Sequence, residues 1–332
     1  MATGDDRPAT RSDVARLAGV STAVVSYVVN DGPRGVSEAT RRRVLRAIRQ
    51  LGYRPNPNAR ALKVGSTGLV GVVVPEVLNT YYAEFIDAID TIARSRGSAV
   101  LPGITHEDSG LEADLVPFLV DRGVDSLIFI CYLQNEELYR LGLPRIPRVL
   151  VDRSLPVPGL ATVGADFTGG TRIAVSHLAD HGHRRIGYIG GPLPAIDLRR
   201  QAWDDVLRER ELPRTPPAIT SWDREGGYNG ARILLNSGDP PTAIFAASDL
   251  IGVGALRAIR ELGLSVPDDV ALISFDGTAE STFSWPPLTT VRQPFTEMAR
   301  QALDTLAHPD GEATHTLFPM SLIVRSSCGC GR

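Results

Sequence analysis

The sequence is poor in cysteine, with three in 332 residues, and nearly without lysine: Lys63 stands alone among 35 basic residues. Cys131, Cys328 and Cys330 are too few for a disulfide framework. The preference for arginine fits GC-rich codons and carries no functional reading. No apolar run reaches the roughly 20 residues of a membrane span, so no membrane association is expected. The opening MATGDDRPAT has no apolar signal core, and a cytoplasmic, nucleoid-associated protein is expected. The net charge of −3 gives no overall pull toward polyanions. Enzyme signatures are missing as well. The glycines of YIGGP (188–192) lack the spacing of a dinucleotide loop and are followed by no P-loop Lys-Ser/Thr. No GxSxG nucleophile elbow is present.

The charge is unevenly placed. Residues 1–65 carry 12 basic and 5 acidic side chains, leaving 23 basic and 33 acidic for residues 66–332. A basic head on an acidic body points to a polyanion-binding module joined to a second function.

Within the head, DVARLAGVSTAVVSYVVN (13–30) is apolar at helical spacing but broken at Gly19. Glycine costs about 1 kcal/mol in a helix interior, yet takes the left-handed conformation of a tight turn freely. Two short helices explain the break. The first is capped by Ser12 and buries Val14, Leu17 and Ala18, with Ala15 at the helix crossing. The second is capped by Ser21 and buries Val24, Val25 and Val28. This is a helix-turn-helix pattern, in which the second helix enters the DNA major groove. It leaves Thr22, Ala23, Ser26 and Tyr27 facing outward. Ser37 opens a third helix with Val44, Leu45, Ile48 and Leu51 inward and Arg41, Arg42, Arg43, Arg46 and Arg49 outward; Gly52 ends it. RPNPNARAL (54–62) then predicts a short helix, with Asn56 as cap and Pro57 first. Too short to stand alone, it is expected to order on DNA and wedge Leu62 into the minor groove.

DVARLAGVSTAVVSYVVN together with VSEATRRRVLRAIRQLGYRPNPNARAL resembles the head and hinge of the lactose-repressor/galactose-repressor (LacI/GalR) family, and the likeness continues to about residue 326. The resemblance implies that Thr22, Ala23 and Tyr27 read bases and that Leu62 is the minor-groove lever. The full DNA-facing set is Ser12, Ser21, Thr22, Ala23, Ser26, Tyr27, Asn30, Asn58, Arg60 and Leu62. Tyr27 stands where the family often has arginine, and Ala23 offers no hydrogen bond. Arginine to guanine is the commonest specific base contact, so the operator sequence does not carry over from better-known members.

Residues 66–325 alternate apolar strands and amphipathic helices in two groups, the pattern of parallel sheets with helices on both faces. The fold class expected is an all-α helix-turn-helix head with an α/β body of two doubly wound lobes. The resemblance implies the periplasmic-binding-protein type I fold for that body. The boundaries read as a disordered 1–10, a head over 11–54, a hinge helix over 55–66, a body over 67–326 and a tail over 327–332. Lobe 1 takes about 67–162 and 292–321, and lobe 2 about 163–291 and 322–326. Ligands of such sheets sit at the carboxyl ends of strands, which nominates Asn79, Tyr81, Tyr82, Asp152, Arg199, Trp222, Ser248 and Asp276 for an effector. By resemblance, Asp152, Arg199, Trp222, Ser248 and Asp276 fall at effector-contact positions. Two carboxylates, a guanidinium and an indole suit a polyhydroxylated, carbohydrate-like ligand. Asp249 reads as a helix cap.

No metal and no cofactor is expected. Cys328-Gly-Cys330 supplies too few ligands for a closed zinc site and reads as a frayed tail; His181-Gly-His183 reads as structural. The function expected is that of a ligand-responsive repressor, a homodimer on a palindromic double-stranded DNA operator, with a small-molecule effector. A body that answers to a partner protein is the alternative reading, and an enzyme carrying a DNA-binding head is a third.

Overall fold

The computed structural model describes residues 7–29, 35–54, 61, 65–106, 108–130, 146–192, 197–309 and 313–330. Contacts divide the chain into Met1–Thr67 and Gly68–Arg332.

The first unit holds α1 (Arg11–Ala18), α2 (Thr22–Val29) and α3 (Glu38–Leu51). The cap of α1 is Thr10, not Ser12: the Thr10 side chain accepts from the Asp13 amide, and Asp13 accepts from the Thr10 amide at 2.9 Å. This reciprocal capping box satisfies two end groups at once, which Ser12 two residues later cannot do. Gly19 ends α1 at φ 63°. Ser21 caps α2 through the Val24 amide at 3.3 Å. Val14, Ala15, Ala18, Val25, Val28, Val44 and Ala47 form the core. Leu17, expected inside, is 51% exposed, because the small Ala15 turns inward with Val14 and Ala18 and rotates the buried stripe away from Leu17.

The second unit has two six-stranded sheets, each flanked by helices. Sheet one contains β1 (Leu69–Val74), β2 (Ala99–Ile104), β3 (Ser126–Phe129), β4 (Arg148–Val151), β5 (Thr162–Ala165) and β11 (His315–Phe318). Sheet two contains β6 (Ile186–Gly190), β7 (Ala218–Ile219), β8 (Ala243–Ala246), β9 (Ala271–Asp276), β10 (Thr289–Arg292) and β12 (Ser321–Ile323). The strand orders are β11-β5-β4-β3-β1-β2 and β12-β10-β9-β8-β6-β7. All neighbours are parallel except β12 against β10. Both sheets reverse direction of winding at equivalent points, between β1 and β3 and between β6 and β8, where a crevice opens at the carboxyl edge.

The helices are α4 (Thr80–Ser95), α5 (Ser109–Asp121), α6 (Phe167–Asp180), α7 (Leu198–Glu209), α8 (Arg224–Leu235), α9 (Asp249–Glu261), α10 (Ala279–Phe283) and α11 (Phe295–Ala307). One apolar cluster runs through both lobes, from Phe85 and Ile128 through Val163, Ala174 and Val291 to Tyr188, Phe245 and Phe275. Fully burying each such side chain stabilises by about 1.5–3 kcal/mol. Helices α8 and α9 pack backbone to backbone: a Cβ on Gly254 would lie 1.9 Å from the Arg224 carbonyl oxygen, and one on Gly227 would lie 2.0 Å from that of Ile251.

The chain changes lobes three times. β5 pairs with β4 and β11, so the first passage follows residue 165 and the expected switch at 163 falls inside a strand. The second passage lies between β10 and α11, the third between β11 and β12. Beyond β12 the chain is packed, not frayed. A short 3₁₀ turn, Ser326–Cys328, lies on β9 and β10, with Ser327 Oγ donating to Leu272 O at 2.6 Å and accepting from the Thr289 amide at 2.8 Å.

Candidate functional site

In the head, Ser12, Ser21, Thr22 and Ala23 are exposed and Ser26 and Tyr27 half-buried. Val25 and Val28 hold the opposite face of α2 in the core, which fixes the outward face against the rest of the head. Arg42, Arg43, Arg46 and Arg49 project from α3 into solvent. Arg16 is held by Asp13 at 2.6 Å. Asn30, Asn58, Arg60 and Leu62 lie outside the described residues.

In the body, the strand ends bring charged side chains from both lobes together. Asp152 follows β4 and Asp276 ends β9. Both have left-handed backbone, at φ 63° and 107°, a conformation that costs a non-glycine residue about 1–3 kcal/mol and gathers at functional sites. Arg199 reaches them from the first turn of α7. Asp197, the cap of that helix, accepts from the Arg199 amide at 3.1 Å and from the Tyr188 hydroxyl at 2.5 Å. The guanidinium donates to Ala247 O at 3.1 Å and pairs with Asp197 at 3.6 Å. It stacks 4.4 Å over the Trp222 ring, 5.0 Å over Phe167 and 5.6 Å over Phe275. Trp222 is set by its indole N–H to Pro192 O at 2.9 Å. Its ring occupies the place a side chain at Gly191 would need, since a Cβ there would lie 2.4 Å away.

The electrostatics follow from burial. Desolvation works against the Arg199 charge, but Asp197, Tyr188, Asp276 and Asp152 together hold its pKa above the ordinary arginine value. Burial lifts Asp152 above the usual carboxylate range, against the pull of Tyr81, Arg199 and Arg153. Burial and the neighbouring Asp249 charge lift Asp276 much further, against Arg199 and a hydrogen bond from Gln293 Nε2 at 2.9 Å. Tyr81 and Asp152 are electrostatically coupled, yet neither Tyr81 Oη nor Asp152 Oδ1 completes a hydrogen bond of good geometry. Gln293 Oε1 likewise has no hydrogen-bond partner, and Arg199 Nε has only its 3.6 Å ion pair with Asp197. Buried polar atoms without partners are costly, so this group of donors and acceptors is chemically ready for a hydroxyl-bearing ligand.

Two nominated side chains have structural duties. Asn79 caps α4 through the Tyr81 amide at 3.0 Å, and Ser248 caps α9 through the Ile251 amide at 3.2 Å. Asp249, expected to be that cap, instead anchors a buried network. It accepts from Ser274 Oγ at 2.5 Å, Thr290 Oγ1 at 2.8 Å, and the Thr278 amide and hydroxyl at 2.6 and 2.9 Å. Tyr82 sits edge-on to Tyr81, ring centroids 5.0 Å apart. The sequence reading missed Gln293, Phe167, Phe275 and Asp197, which complete the walls. Asp197 had a signal, a carboxylate one residue ahead of an amphipathic run. Gln293 lies in a passage between lobes and had none.

Residues 10–56 match the family model for bacterial regulatory proteins of the lacI family, and residues 175–328 that for a periplasmic binding protein-like domain. The chain is 34% identical over 331 residues to the HTH-type transcriptional repressor CytR of Escherichia coli strain K12, covering 96% of each chain. It is similar in structure to the lac repressor dimer bound to operator and the anti-inducer ONPF, with TM-score 0.86, 30% identity, and coverage of 97% of this chain and 99% of that one. The transcriptional regulator CelR in complex with cellobiose gives TM-score 0.69 at 31% identity, covering 96% and 99%. Head, two-lobed body and full-length likeness agree: the chain belongs to the lacI family of bacterial regulatory proteins.

Proposed function

We propose that the protein is a dimeric repressor that releases or grips a palindromic operator according to a small polyhydroxylated effector bound between its lobes. The observation that carries this is the convergence of Asp152, Arg199 and Asp276 over a Trp222–Phe167–Phe275 floor, with Tyr81 Oη, Asp152 Oδ1 and Gln293 Oε1 left without hydrogen-bond partners. A sugar presents vicinal hydroxyls to charged acceptors and donors, and its C–H faces to an indole. Asn79, Tyr81, Tyr82, Trp222 and Ser248 border this space in the proposal. The head offers Thr22, Ala23, Ser26 and Tyr27 to base edges, and Ser12 and Ser21 to phosphates. Phe283 and Trp285, 86% and 84% exposed, supply apolar surface of the kind a second copy covers. The relatives are transcriptional repressors, and no turnover of the effector is proposed. A regulator of this kind acts in the cytoplasm, on the nucleoid.

The test is selection from a random DNA pool with the intact protein at stated salt, repeated with a panel of mono- and disaccharides. An enriched palindrome whose binding one sugar changes supports the proposal. Enrichment that no sugar alters, with no sugar binding by calorimetry, removes the effector half of it.

A further inference from the structure

One cluster of side chains takes no part in either site. His177 and His181 stand one turn apart on the same face of the end of α6, ring centroids 4.5 Å apart. The segment after β12 carries two thiols to them. Cys330 Sγ lies 3.4 Å from His177 Nε2 and 3.2 Å from His181 Nε2. Cys328 Sγ lies 3.4 Å from the same His177 nitrogen and in contact with the Cys330 thiol. The donor atoms of His177, His181 and Cys330 fall within 4.8 Å of one another. His183, which the sequence pairs with His181, turns away to Thr242 Oγ1 at 3.0 Å.

We infer that His177, His181, Cys328 and Cys330 form a binding site for a thiophilic divalent ion, zinc in first place. Zinc binds imidazole nitrogen at about 2.0 Å and thiolate sulfur at about 2.3 Å, which sets neighbouring tetrahedral ligand atoms roughly 3.5 Å apart. The three sulfur–nitrogen spacings given above match that edge length, and Cys328 Sγ, which stands against His177, completes the set by moving toward His181. Two thiols and two imidazoles make a closed Cys2His2 set that suits Zn(II) over Mg(II) or Ca(II), whose ligands are oxygen. On binding, the two thiols lose their protons to solvent and the imidazoles bind as neutral ligands. No bond other than coordination forms, and nothing is oxidised.

The position gives the ion a mechanical role. Cys328 Sγ also accepts from Thr289 Oγ1 at 3.1 Å, at the first residue of β10. Arg325, three residues earlier, donates to Leu288 O at 2.5 Å and to Thr282 Oγ1 at 2.9 Å. An ion held by α6 and residues 328–330 therefore ties the segment after β12 to α6 and to the first residue of β10, within one lobe.

The experiment uses tag-free, full-length protein, reduced with a phosphine and stripped by chelation. Zn(II) is titrated in competition with a chromophoric chelator, and Co(II) is titrated separately. The expected result is one equivalent per protomer, two protons released per ion, and a Co(II) spectrum with thiolate charge-transfer and intense tetrahedral ligand-field bands. Cys330→Ser and His181→Asn should each weaken Zn(II) by more than about 100-fold, beyond the loss typical of outer-shell changes. The Co(II) spectrum of the unaltered protein stands whether or not either variant folds. Sub-stoichiometric binding, a Co(II) spectrum lacking thiolate bands, or full affinity in both variants would overturn the assignment. So would a Cys328–Cys330 disulfide in freshly isolated protein whose reduced form takes up no ion.

Discussion

Asp152 and Asp276 stand at the ends of equivalent strands of the two lobes, both in left-handed backbone and both acting on the charge of Arg199. Each lobe thus contributes one carboxylate toward the same guanidinium. This geometry makes Arg199 the residue whose loss costs most. Arg199→Ala leaves two buried carboxylates without their counter-charge. It is expected to lower stability by about 3 kcal/mol and effector affinity by more than about 100-fold, while the isolated operator interaction persists. Calorimetry with the effector and operator binding without it read the two effects separately; unchanged effector affinity would move the pocket elsewhere.

Asp249 gives the body a dependence on pH. Its pKa in the folded chain is raised from 3.8 to about 6, chiefly by burial, against hydrogen bonds from Ser274, Thr290 and Thr278. The folded state keeps this proton where the unfolded chain has lost it. Its contribution is therefore full below pH 3.8 and lost as pH rises through about 6, a change on the order of 3 kcal/mol. Asp249→Asn cannot titrate and turns an amide NH2 toward existing donors. It should be less stable throughout, with the gap to the native protein narrowing between pH 4 and pH 8. Urea midpoints across that range check it, and a constant gap would contradict the assignment.

The closest backbone approach in lobe 2 has no room for a methyl group. Gly254→Ala should cost about 3 kcal/mol, at the upper end of ordinary overpacking, since the atom it would meet is the Arg224 carbonyl oxygen and not a flexible side chain. A shift in thermal midpoint of less than 1 °C would mean that α8 and α9 separate easily.

For the head, the outward face of α2 and the arginines of α3 should separate in kind. Tyr27→Ala should lower the ratio of specific to non-specific binding by about tenfold, within the range of one base contact. Arg46→Ala should weaken both modes alike and reduce the slope of log affinity against log salt by about one. Equal salt slopes for native protein and Arg46→Ala would place Arg46 away from the phosphates.

Much of this was legible in the sequence, for physical reasons. Val14, Ala18, Val25 and Val28 keep strict helical spacing around one glycine, and β1 and β9 are apolar runs buried over nearly their whole length. Residues that act alone at strand ends, such as Asp152 and Asp276, stood out because a charge directly follows an apolar run. What stayed hidden depends on tertiary contact. β5, β10, β11 and β12 span only three or four residues, too short for periodicity, and they pair across long separations. Asp249 looked like a cap because caps are local, whereas its partners Ser274, Thr278 and Thr290 lie 25 to 41 positions away. His177 lies farther still, 151 and 153 positions, from Cys328 and Cys330, so neither pair alone read as more than half a site.

Gln293 stands between β10 and α11, in the second passage from lobe to lobe, and its side chain holds Asp276 while its amide donates to Asp276 O at 3.0 Å. Across the cleft Glu84 of α4 accepts from the Ala279 amide at 2.7 Å, and Thr80 donates to Glu280 at 3.1 Å. A ligand that draws on the Asp276 carboxylate therefore competes with the joint itself. In the function proposed above, the joint between the lobes and the acceptor for the effector are thus one pair of residues, Asp276 and Gln293.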